Sequence, residues 1–240
     1  MQQHAKRAIV LVHGAWHGGW CWRDVVSRLR AAGHEVYAPT LTGLGERAHL
    51  ASHSVDLATH VQDVVAVLEC EDLRDVVLVG HSYGAVVVAG VAERAAPRLQ
   101  QLVFLDGFIV RDGESLANVS GLPQSMIEHM RGQTDGWRLP PFALPMLGIE
   151  EPQHERFVAP RLLPHPVKCL VDVQTLRDPR AAALPRAYIQ CTRRPLPILP
   201  MSAARAREAG WPFFEIATGH DAMITAPAEV AALLARLAAR

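Results

Sequence analysis

The chain has 240 residues, half of them hydrophobic, with 24 basic and 24 acidic side chains and a formal net charge of zero. That is enough apolar material for a sizeable core, in one large α/β domain or two small ones. There is no dense basic run to suit nucleic acid, and no stretch near the roughly 20 apolar residues of a membrane span.

The N-terminal segment Met1–Ala8 is polar and basic, and the apolar run Ile9–Val12 behind it is too short for the core of a signal peptide. Ala8–Val12 reads as a buried strand. Trp22–Ala32 reads as a helix with Val25, Val26 and Leu29 on one face and Gly33 as its stop. His34–Ala38 is a second strand, closed by Pro39. Leu57, Val61, Val64, Val65 and Leu68 recur at helical spacing, so a helix is expected over 55–70. A strand over 75–80 leads to a helix from Ala85 on, and Gln101–Leu105 is a further strand. The alternation predicts a mostly parallel sheet with helices on both faces.

The rhythm breaks from about 107 to 184, where nine prolines fall among amphipathic pieces such as Met126–Met130 and Val167–Leu176. Because the segment keeps Trp137, Phe142, Leu144, Met146 and Phe157, a lid between two sheet strands is expected rather than a disordered linker. The core would then comprise 1–106 and 185–240. Ala187–Cys191 and Pro212–Ala217 resume the sheet, and 227–239 is a last helix with Pro227 in its first turn. The four cysteines (Cys21, Cys70, Cys169, Cys191) lack metal-type spacing, which reads as reduced thiols in a cytoplasmic protein.

Gly80-His81-Ser82-Tyr83-Gly84 sits between the strand 75–80 and its helix. A G-x-S-x-G in that context holds the serine on a strained turn with its hydroxyl clear of the backbone, and glycines on both sides avoid clashes. Ser82 is therefore the candidate nucleophile; its bland reading is a helix cap. A serine hydroxyl needs a base. Of the 12 histidines, His220 is the best placed, in the loop after the last strand and late in the chain. His81 is expected to be structural, because adjacent side chains at the turn point elsewhere. An oxyanion needs two N–H donors, and Tyr83 and Ala15 are the candidates. Ala15 lies in the glycine-rich loop His13-Gly14-Ala15-Trp16-His17-Gly18-Gly19-Trp20, which lacks the lysine of a phosphate loop.

Three segments, 13–22 (HGAWHGGWCW), 80–84 (GHSYG) and 219–227 (GHDAMITAP), make the chain resemble α/β-hydrolases of the branch that includes plant methylesterases, hydroxynitrile lyases and bacterial carboxylesterases. The resemblance implies an eight-stranded sheet, a lid over an apolar pocket, a Ser-His-Asp triad and no cofactor. The chain departs from it at one point. Where such proteins often carry the triad acid, it reads Cys191-Thr192-Arg193-Arg194-Pro195, and no Asp or Glu occurs from Ala187 to Arg207. Asp106, after the strand 101–105, is the preferred replacement. Asp221 is adjacent to His220 and awkward for orienting its ring, and Asp172 and Asp178 lie in the lid. The lyases use a lysine directly after the histidine and a threonine in the first loop; here those positions are Asp221 and Gly14, which favours ester hydrolysis.

The expectation is a serine carboxylesterase acting on small apolar or aromatic esters. Trp16, Trp20, Phe108, Trp137, Phe142 and Met223 are its candidate pocket walls. Lyase, thioesterase or amide-hydrolase chemistry on the same fold, or a non-catalytic small-ligand binder, are the alternatives. No metal, nucleic acid or membrane enters the reading, and a homodimer is compatible with it.

Overall fold

A computed structural model describes residues 7–193 and 195–239. The strands are β1 (Ala8–Val12), β2 (Glu35–Tyr37), β3 (Val76–His81), β4 (Leu99–Leu105), β5 (Arg138–Leu139), β6 (His165–Pro166), β7 (Arg186–Cys191) and β8 (Phe213–Ile216). Six of them form one parallel sheet in the order β2-β1-β3-β4-β7-β8, while β5 and β6 pair antiparallel on their own. The family resemblance implied eight strands in the sheet; among the described residues it has six.

The core helices are α1 (Arg23–Ala31), α2 (Leu57–Cys70) and α3 (Gly84–Ala95). Five short helices, α4 (Leu116–Ser120), α5 (Gln124–Gly132), α6 (Pro152–Val158), α7 (Lys168–Val171) and α8 (Pro179–Ala183), lie between β4 and β7. Beyond β7 come α9 (Pro200–Glu208), α10 (Ala222–Thr225) and α11 (Pro227–Ala238). Helix α9 has no clear sequence signal, because it is weakly amphipathic and buries only Ser202, Ala203 and Ala206. The expected amphipathic piece 167–176 is helical only in α7. Past Val171 the Gln174 amide donates to Val86 O (2.8 Å) and Gln174 N–H to Glu114 O (2.9 Å), so tertiary partners replace helical ones.

Strand order fixes where helices lie. The step from β1 to β2 runs toward one edge of the sheet, and the steps β2 to β3 and β3 to β4 run toward the other. Right-handed crossovers then put α1 on one face and α2 and α3 on the opposite face. The contacts agree: α1 packs on α11, and α2 on α3. Every residue of β3 is buried, as a strand covered on both faces requires. The chain reverses direction across the sheet between β1 and β3. The crevice at the C-terminal ends of those two strands is where an open α/β sheet binds its ligand.

Candidate active site

Both loops that open at that crevice carry the sequence motifs. After β1 comes the glycine-rich loop; after β3 comes Ser82, with φ of +52°, a left-handed backbone that an L residue adopts at a cost. Three backbone bonds hold it. Ser82 N–H donates to Leu105 O (3.2 Å), and Ser82 O accepts from Ala85 N–H (3.1 Å) and Phe108 N–H (3.2 Å). A Cβ at Gly80 would meet Gly84 O at 2.6 Å, and one at Gly84 would meet Val12 O at 2.5 Å, so the turn needs both glycines.

His220 lies in the loop between β8 and α10. Its ring Nδ1 is 2.7 Å from Asp106 Oδ2, and both side chains are buried. The second oxygen, Asp106 Oδ1, accepts Cys191 N–H at 3.1 Å, and Asp106 N–H donates to Ile189 O at 2.7 Å. Asp106 also has positive φ, +43°. The carboxylate is thus gripped by the end of the neighbouring strand β7 while it faces the imidazole. Arg194, at the usual acid position, lies outside the described residues.

The Asp221 carboxylate lies close to His220 but bonds elsewhere, with Oδ2 3.0 Å from His17 Nε2. His81 packs its ring against that of His220 (centroids 4.6 Å apart), and its Nε2–H donates to His220 O at 3.0 Å. Burial, with the nearby His220 ring, holds His81 well below the usual histidine range, so it stays neutral.

Ser82 and His220 border one cavity of about 40 Å³ together with Ala15, Trp16, Tyr83, Phe108 and Phe142. Leu116, Leu122, Met130, Leu139 and Leu170 of the insertion, and Leu196 and Ile198 after β7, complete the wall. Those seven were missed from sequence, because nothing in a lone apolar side chain of an irregular segment says which way it faces. Three expected wall residues stand elsewhere. Trp20 stacks on His17 (5.4 Å) and packs edge-on against Phe157 (5.5 Å). Trp137 packs tilted against His53, under Arg138. Met223 is fully buried in α10, away from the cavity wall. Larger clefts of about 310 and 460 Å³ lie over Phe104 and Trp211 and over α2 and α3, but neither reaches Ser82 or His220. Reactive side chains, not volume, mark the smaller cavity as the site.

Tyr83 turns its hydroxyl away from the cavity, to His60 Nδ1 at 2.8 Å, while His60 Nε2–H donates to Thr42 O (2.9 Å). No helix in the described residues is long and apolar enough to cross a membrane.

A model of the alpha/beta hydrolase family matches residues 9–233. A carbendazim hydrolyzing esterase of Nocardioides sp. (strain SG-4G) is 37% identical over 240 residues, covering 95% of this chain and 98% of that protein. Salicylic acid-binding protein 2 of Nicotiana tabacum is 28% identical over 207 residues, covering 76% and 77%. Among solved structures, an extracellular alpha/beta-hydrolase from a Paenibacillus species superposes with a TM-score of 0.83 at 24% identity, covering 96% of this chain and 98% of that one. The chain belongs to the alpha/beta hydrolase family, among its carboxylic-ester hydrolases.

Proposed function

We propose that Ser82, His220 and Asp106 form the catalytic triad of this esterase, and that its substrates are esters with a small acyl group. The observation that supports the triad is the 2.7 Å contact of Asp106 with His220 Nδ1, on a ring that borders the same cavity as Ser82. His220 takes the Ser82 proton as the hydroxyl oxygen attacks the ester carbonyl. The N–H groups of Ala15 and Tyr83 receive the oxyanion. The imidazolium, stabilised by Asp106, then gives its proton to the leaving alcohol. It next activates water, which attacks the acyl-serine carbonyl and releases the acid.

Residues 107–184 act as the lid, since their side chains close the cavity over Ser82. Its small volume and nearly all-apolar wall favour a short acyl chain, with Phe108 and Phe142 as contacts for it. Gly14 supports hydrolysis over lyase chemistry. A side chain there would put its Cβ 3.0 Å from Ser82 Cβ and His81 Nδ1, so a threonine would fit only if these neighbours shifted. We assign the protein to the cytoplasm on its four free cysteines, three of them buried.

The test is labelling with a fluorophosphonate, followed by peptide mass mapping, and turnover of p-nitrophenyl acetate beside a thioester, an anilide and a cyanohydrin. Expected are one adduct on Ser82, ester turnover above the other three, and loss of both adduct and turnover in Ser82→Ala. Ester turnover that survives in Ser82→Ala would refute the proposal. Carbendazim, named for the Nocardioides relative, is the first environmental substrate to try.

A further inference from the structure

Two buried titratable residues border the site without a part in that mechanism. His17 lies in the loop after β1, two residues past Ala15, and is 1% exposed; Asp221 is the residue after His220 and is 0% exposed. His17 Nε2 is 3.0 Å from Asp221 Oδ2, and its Nδ1 is 2.7 Å from Ala15 O. The Ala15 carbonyl and an ionised Asp221 carboxylate only accept hydrogen bonds. A neutral imidazole has one N–H and can serve one of them, so a ring that serves both carries both protons. Burial pushes His17 down, but the Asp221 charge, its hydrogen bond and the Ala15 carbonyl together raise it above the ordinary histidine range. Burial likewise works against the Asp221 carboxylate, and the His17 cation overcomes it and holds the group below its usual range.

The bond to Ala15 O fixes the peptide that enters a strained residue. Trp16 has φ of +67°, the left-handed region again. Its N–H faces His165 Nδ1 at 3.4 Å, and its O accepts Leu163 N–H at 3.0 Å. Two successive peptides are therefore pinned, one by His17 and one by the insertion. Ala15, whose N–H is the proposed oxyanion donor, sits at the start of this pinned turn.

The remaining ionisable neighbours do not supply the missing charge. His81 Nε2 is 4.0 Å from Asp221 Oδ1, but its proton goes to His220 O. Burial, and then the Asp221 charge, hold the Cys21 thiol up; burial, then Asp106 and Asp221, do the same to Cys191. His13 is neutral, its Nδ1–H on Gly14 O and its Nε2 accepting Leu41 N–H. His220 faces Asp106. Among the groups packed around Asp221, His17 is thus the one that can cancel its charge.

We propose that His17 is a positioning residue: its imidazolium, held between the Ala15 carbonyl and the Asp221 carboxylate, locks the oxyanion loop to the histidine loop and cancels a buried charge beside His220. This rests on the proposed esterase mechanism. The pair gives each loop a reason to be where the other needs it. The oxyanion donor and the base come from opposite ends of the chain, 205 positions apart between Ala15 and His220, and the ion pair joins them directly.

The test uses ring 15N spectra of the full-length protein at pH 7, with p-nitrophenyl acetate kinetics across pH. Wild type should show both His17 ring nitrogens protonated, and Asp221→Asn only one, because Asn no longer supplies the charge. Asp221→Asn should lose ~10-fold or more in kcat with little change in KM, the signature of a shifted transition-state donor. His17→Ala should also lower kcat. It leaves Asp221 as an uncompensated anion beside His220, which favours the protonated ring, so the acid limb of the kcat/KM profile moves to higher pH. The double variant His17→Ala/Asp221→Asn should return that limb to its wild-type place while kcat stays low; a purely structural role would not produce this reversal. Asp221→Asn keeps the side-chain shape and carries the test if His17→Ala does not fold. A neutral His17 ring in wild type at pH 7 overturns the proposal, as does wild-type kcat in Asp221→Asn. The spectrum needs no turnover, so it separates failure of this clamp from failure of the esterase mechanism.

Discussion

Asp106→Asn is the sharpest perturbation of the proposed triad, and the structure says why it should be costly. Asp106 uses its two oxygens on two donors, Oδ2 on His220 Nδ1–H and Oδ1 on Cys191 N–H. Asparagine has one oxygen and one NH2 for the same two places. If the oxygen keeps Cys191 N–H, the NH2 faces His220 and draws its proton to Nε2, which can then no longer accept from Ser82. If the oxygen keeps His220, the NH2 confronts Cys191 N–H in a buried site, a loss of about 1–3 kcal/mol. That penalty drives the amide into the first orientation, the wrong tautomer for catalysis. The uncharged amide also fails to stabilise the imidazolium. The expected loss in kcat is on the order of 10³–10⁴, the range seen when a triad acid is neutralised, and corresponds to about 4–5.5 kcal/mol of barrier. Steady-state turnover of p-nitrophenyl acetate measures it, with circular dichroism to show that the variant is folded. A folded Asp106→Asn enzyme within tenfold of wild type would refute both the assignment and the tautomer argument.

Stability should fall as pH drops below about 6.5. Burial pushes His13 down to about 3, and it also lowers His60, His81 and His165, so the folded protein keeps these rings neutral while the unfolded chain protonates them. Each ring then costs up to about 1.4 kcal/mol per pH unit below the unfolded value. His17, raised in the folded state, works the other way. Its contribution is full below the unfolded value of about 6.5 and is lost as pH rises through its folded one. Urea midpoints at pH 7 and pH 5 should differ strongly, with pH 5 the lower, and equal midpoints would contradict the neutral assignments. Phe142→Ala should enlarge the cavity, since the ring packs 4.6 Å from that of Trp16 and lines the wall. The kcat/KM ratio of p-nitrophenyl hexanoate to acetate should then rise by roughly tenfold, the worth of about two of its four extra methylenes newly accommodated at about 0.8 kcal/mol each. An unchanged ratio would place the acyl group elsewhere.

The parts of this molecule legible from sequence are those where local chemistry has one solution. β3 is apolar throughout because both faces are covered, and the strained turn after it needs glycine at 80 and 84. Gly33, read as the stop of the first helix, ends the α1 segment at φ of +92°. The insertion resisted reading for the opposite reason. Its pieces are short and take their shape from distant partners, as Leu163 does from Trp16 and Gln174 from Val86. Trp20 and Trp137 looked like pocket walls because large aromatics suit apolar substrates, yet each finds a ring or guanidinium partner outside the cavity. Asp221 was illegible in another way. Adjacency to His220 made it awkward as the triad acid, and nothing in the sequence pointed to a partner 204 residues away.

The position of the proposed acid is set by the register of the sheet. β4 lies between β3, which leads to Ser82, and β7, with Leu105 opposite His81 on one side and Ile189 on the other. The residue after β4 therefore sits beside the end of β7, and Asp106 N–H bonds to Ile189 O while Cys191 N–H bonds to Asp106 Oδ1. The Asp106 carboxylate thereby reaches both the end of β7 and the histidine ring. Strands in a parallel sheet are about 4.8 Å apart, a distance that one side chain spans. The proposed acid can thus leave β4 and still lean on β7, provided its residue turns inward. Asp106 does so through its positive φ, one of the few conformations in which the chain leaving β4 can aim a side chain back across β7. Aspartate tolerates that backbone better than most residues. Placing the proposed acid at position 106 therefore costs the chain a strained residue.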